Sequence, residues 1–73
     1  MDITLTPFIE IWFDGMEYGY RIDFQDENIA DTLGVDQVVE SKARSYTSVV
    51  IAINAKIKVY AEKLHKLQLE YQN

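Results

Sequence analysis

Cysteine is absent from this 73-residue chain, and histidine and proline occur once each, at His65 and Pro7. Without cysteine there is no disulfide, and one histidine without thiols cannot build a structural zinc site. A domain of this length buries only about 60% of the surface its unfolded chain exposes. With those staples missing, self-association is the expected support. The three glycines, Gly15, Gly19 and Gly34, have neither Walker nor dinucleotide spacing, which excludes a phosphate-cradling loop. No apolar run reaches the ~18 residues of a membrane span, and the acidic start Met1-Asp2-Ile3 is unlike a signal peptide, so a cytoplasmic protein is expected. What the chain does hold is apolar side chains, 48% of residues, including five Tyr, three Phe and a single Trp. That is too much for a disordered segment, and it predicts one small folded domain over residues 1–73.

Charge is divided unevenly. Residues 1–40 hold ten of the twelve carboxylates and one basic residue, Arg21; residues 41–73 hold the other six Lys and Arg against Glu62 and Glu70. Such polarity is satisfied either by folding one part against the other or by a partner.

Residues Phe8 to Ile22 alternate around Asp14-Gly15, a dipeptide favoured in two-residue type I′ turns, and predict an antiparallel β-hairpin over about 8–24. Closure on that dipeptide pairs Phe13 with Met16, Ile11 with Tyr18 and Ile9 with Tyr20 on an apolar face. The opposite face pairs Trp12 with Glu17, Glu10 with Gly19 and Phe8 with Arg21. Pro7 lacks an N–H for the ladder, so regular pairing should stop near Phe8. Ile3 and Leu5 keep the parity of Ile9 and Ile11, and the arm they form is expected to continue across the same core. Trp12 and Phe8 interrupt the polar face. Cover by the long helix or a neighbouring chain is the expectation; the competing reading makes them a partner-binding anchor rimmed by Glu10 and Glu17.

Acids in its first turn and Gly34 just past its end predict a short helix over about 26–33, with Ile29 and Leu33 turned to the core. Asp36 then stands where an N-cap belongs. From there Val39, Ala43, Tyr46, Val50, Ile53, Ile57, Tyr60, Leu64, Leu67 and Tyr71 recur in steps of four and three. They predict an amphipathic helix over about 36–71, roughly 52 Å long at 1.5 Å per residue. Strands of six or seven residues reach about 20 to 23 Å, so half of this seam should stay uncovered. Either the helix breaks near Ser45-Tyr46-Thr47-Ser48, or it stays whole and pairs with another copy through Tyr46, Val50, Ile53, Ile57, Tyr60, Leu64, Leu67 and Tyr71. The unbroken periodicity favours the whole helix. The fold class is therefore α+β: hairpin, short helix, long C-terminal helix.

Chemistry is sparse. No catalytic or metal-ligating residue is assigned and no cofactor is expected. His65 falls on the long helix between Lys63 and Lys66, and the acids Asp23, Asp26, Glu27 and Asp31 lack EF-hand spacing. The expected function is a small acidic non-enzymatic interaction protein, a homodimer that docks on a target protein and inhibits or modulates it, as small phage-encoded inhibitors do. Its partner-binding residues would be Phe8, Glu10, Trp12, Glu17, Asp23, Asp26, Glu27 and Asp31. Two alternatives stand beside it. In one, those carboxylates with Asp36 and Glu40 imitate the phosphates of a nucleic acid. In the other, Tyr18, Tyr20, Tyr46 or Tyr60 line a small-ligand pocket at a subunit interface. Direct nucleic-acid binding by Lys42, Arg44, Lys56, Lys58, Lys63 and Lys66 is opposed by the sequence pI of 4.6.

Overall fold

A computed structural model describes residues 6–71, and side chains as far as Glu70. The elements run β1 (Phe8–Phe13), β2 (Tyr18–Asp23), α1 (Glu27–Leu33), β3 (Val38–Ala43) and α2 (Tyr46–Tyr71). The fold is α+β: an antiparallel sheet of order β1-β2-β3, a short helix and a long C-terminal helix. The expected arm of Ile3 and Leu5 lies outside the described residues. Among the described residues no helix is long and apolar enough to cross a membrane.

The hairpin forms, with β1 starting at Phe8, but its register differs from the expected one by two residues. Phe13 pairs with Tyr18, Trp12 with Gly19, Ile11 with Tyr20, Glu10 with Arg21, Ile9 with Ile22 and Phe8 with Asp23. The turn is centred on Gly15-Met16, because Asp14 joins the ladder: its N–H donates to the Glu17 carbonyl at 3.0 Å. Its carboxylate drives the change by accepting the N–H groups of Met16 at 2.9 Å and Glu17 at 2.8 Å. Gly15 takes φ +99° while Met16 stays at negative φ, the order of a type II′ turn and not of the type I′ turn expected. A shift of two leaves every side chain on its expected face.

Helix α1 obeys its sequence signals. Asp26 caps it by accepting the Ile29 N–H at 3.0 Å, and Gly34 ends it at φ +71°, its N–H returned to the last turn. Just before it Gln25 holds φ +65°, fixed by Asp23 Oδ1 accepting its N–H at 2.8 Å.

Residues 38–43, expected to be helical, are instead β3. Asp36 caps no helix, and Val39 and Ala43 belong to a strand paired with β2: Ile22 opposite Val39, Tyr20 opposite Ser41, Tyr18 opposite Ala43. A step of four keeps a residue on one face of a strand as well as of a helix, so Val39 to Ala43 suits both. The step of three from Ala43 to Tyr46 does not, and there the strand ends. Ser45 starts α2, its Oγ accepting the Ser48 N–H at 3.1 Å. The helix is thus confined to residues 46–71, about 39 Å long, and the seam's first two members are not part of it.

Helix α2 packs on β2, β3 and α1. The core is Tyr20, Ile22, Phe24, Val49, Ile53, Tyr60 and Leu64, with Ile22 and Val49 wholly enclosed. Beyond the sheet the seam is covered by Phe24 and by Ile29 and Leu33 of α1; Phe24 stacks on Tyr60 with ring centroids 4.0 Å apart and planes 5° from parallel. The problem of a helix longer than its sheet is solved by an elongated molecule, 50 × 19 × 18 Å.

Candidate functional site

The core takes most of the surface expected for self-association. Of that set Ile53, Tyr60 and Leu64 are buried, Val50, Ile57 and Leu67 half-buried, and Tyr46 exposed; the Tyr71 side chain lies outside the described residues. Uncovered apolar surface collects elsewhere, on β1. All six of its residues are exposed, and five are apolar: Phe8, Ile9, Ile11, Trp12 and Phe13.

Strand order explains this. The helix lies on the face of Tyr20 and Ile22 in β2, and among the elements β1 neighbours only β2. Ile9, Ile11 and Phe13 share the helix side of the sheet but lie beyond the helix, Phe13 reaching 58% exposure. Sequence alternation assigned them to the core, and the structure leaves them at its margin. Phe13 meets Tyr18 with ring centroids 4.9 Å apart, and Tyr18 in turn meets Tyr46 edge-on at 6.0 Å.

Among the described residues no helix lies on the other face of the sheet, so the expected helical cover of Trp12 and Phe8 is not found. Phe8, Glu10 and Trp12 share this open face with Arg21, Asp23, Val38, Glu40 and Lys42. Trp12 lies across Gly19, where an added Cβ would run into the indole. The glycine thereby seats the ring on the backbone of β2, with 37% of the residue still exposed. Phe8 stands at 55%.

The backbone of β1 is also open on one side. The Asp14–Glu17 bond sets the phase of the ladder, in which inward- and outward-directed pairs alternate. Even-numbered residues of β1 therefore bond to β2, and the N–H and C=O groups of Ile9, Ile11 and Phe13 point away from the sheet.

The acids expected to act together are dispersed among separate tasks. Glu10 is bound by Arg21 at 3.2 Å, and Asp14 by Lys42 at 3.2 Å. Asp23 holds Gln25 and accepts from Gln37 Nε2 at 3.3 Å, while Asp26 caps α1. Glu27 and Asp31 are exposed on α1, and Glu17 sits half-buried beside the turn. Asp14 was read in the sequence as a turn residue alone, yet the N–H groups of Glu17 and Met16, then the Lys42 ammonium, lower its pKa to about 2. Burial, aided by the charge of Asp26, raises that of Tyr60.

Of the four tyrosines considered for a ligand pocket, Tyr20 and Tyr60 are core residues. The concave sites described are open and shallow. One of about 430 Å³ is lined from a single stretch of α2, Val59 to Lys66, and includes His65; one of about 250 Å³ lies between α2, Phe24, the connection after α1 at Gly34, Val35 and Asp36, and Val39 of β3. No group of three or more His, Asp or Glu residues gathers in cation-holding geometry among the described residues. Comparisons with protein-family models, curated proteins and solved structures return no match.

Proposed function

We propose that this chain is a small non-enzymatic interaction protein that docks on a target protein through the open face of its sheet and so inhibits or modulates it. The observation that carries the reading is Trp12, held on Gly19 and backed by exposed Phe8 on a sheet face that no helix covers among the described residues. A ring already fixed on its own backbone loses little freedom on binding, and Trp anchors of this kind dominate many interfaces. Glu10, Asp23 and Glu40 surround the anchor, interrupted by Arg21 and Lys42. The matching target surface is an apolar recess with a predominantly basic rim.

Affinity capture with the immobilised full chain, followed by stoichiometry of the recovered complex, tests this. Trp12→Ala should abolish capture, whereas Asp31→Ala on α1 should not. Equal capture by the Trp12→Ala variant overturns the reading. Capture that instead collapses with rising salt and depends on the α1 acids supports imitation of a nucleic acid.

A further inference from the structure

We propose that a second copy of this chain pairs with β1, antiparallel across a two-fold axis at Ile11, so that two sheets become one. This concerns the edge of the strand, and it stands whether or not the open face meets a target. Three observations select the occupant. Among the described residues the outward N–H and C=O groups of Ile9, Ile11 and Phe13 have no strand to pair with. The strand carries none of the devices that block edge pairing, having no lysine, no internal proline and no bulge. Its own sequence supplies what that edge needs, an alternating strand with apolar residues at every helix-side position.

Charge fixes the register. Only odd-numbered residues present outward hydrogen-bonding groups, so the two strands must pair odd with odd. Centred on Glu10, the pairing sets Glu10 against its own copy, about 4.5 Å away between Cα atoms, and like charges directly opposite are unfavourable. Centred on Trp12, it sets Glu10 against Asp14 of the second copy. Centred on Ile11, it joins Ile11 to Ile11 and Ile9 to Phe13, each pair exchanging two backbone hydrogen bonds, and Glu10 faces Trp12. No carboxylate then opposes another. The edge is nearly neutral because Arg21 and Lys42 hold Glu10 and Asp14. The remaining repulsion between two chains of charge −5 is long-range, so added salt strengthens the association.

Sedimentation equilibrium and amide exchange on the full wild-type chain are the primary test. Mass should rise with concentration from 8.5 kDa to twice that value, with protection appearing in step at the Ile9, Ile11 and Phe13 amides. Ile11→Lys should remain monomeric. Should that variant fail to fold, single cysteines in this cysteine-free chain decide: Ile11→Cys crosslinks copies on mild oxidation, and Glu10→Cys, held beyond the roughly 7 Å Cα limit, does not. A monomer at every concentration overturns the proposal. So does a dimer whose three amides exchange freely, or crosslinking at Glu10→Cys but not at Ile11→Cys.

Discussion

The two edges of the sheet carry opposite chemistry. On β3 the residues whose backbone groups point outward are Val38, Glu40 and Lys42, because the Phe24 N–H to Gln37 carbonyl bond turns the odd-numbered residues inward. Two of those three are charged. On β1 the corresponding residues are Ile9, Ile11 and Phe13. Charges at an edge keep water on the strand and discourage another chain from adding to it. One edge of this small sheet is guarded and the other is left open, and the open one is where a partner strand belongs.

The largest effect should come from the strand that both edges lean on. Ile22 in β2 is completely enclosed, and Ile22→Ala should cost about 2–5 kcal/mol of stability in urea unfolding, undoing the contrast by unfolding both edges. Next comes the guard itself. Replacing Glu40 and Lys42 with valine gives β3 the character of β1, and light scattering should then show open-ended assemblies, since two sticky edges propagate where one closes. Ser45→Ala removes the cap of α2 and should cost about 1 kcal/mol with neither edge altered. The mildest effect is acid weakening of the β1–β2 turn. The folded pKa of Asp14, about 2, lies below the ordinary carboxylate value of 3.8, so its contribution is complete above pH 4 and fades as pH falls toward 2. The urea midpoint of Asp14→Asn should therefore vary less over that window than that of the wild type.

Much of this architecture was legible in the sequence. Gly34 was legible as the end of α1 and the acids as its start, Asp26 proving to be the cap and not a first-turn residue, and the two faces of the hairpin were legible because alternation fixes parity. The register was not, since a slip of two is silent to alternation and was decided by the carboxylate of Asp14. Strand β3 was hidden by the step from Val39 to Ala43, which both periodicities accept. The candidate site was half legible: Trp12 and Phe8 stood out as apolar residues on a polar face. Ile9, Ile11 and Phe13 did not, because alternation tells which residues share a face and not whether the face is covered. Cover depends on β2 being central, and β2 becomes central only when β3 exists.

The seat of Trp12 on Gly19 has an evolutionary corollary. Neither position can be judged alone: a side chain at residue 19 displaces the indole, and a small residue at 12 removes the need for glycine. In relatives of this chain a side chain at residue 19 should therefore occur only where residue 12 is no longer Trp, and a cycle of Trp12→Ala and Gly19→Ala should show strongly non-additive stabilities.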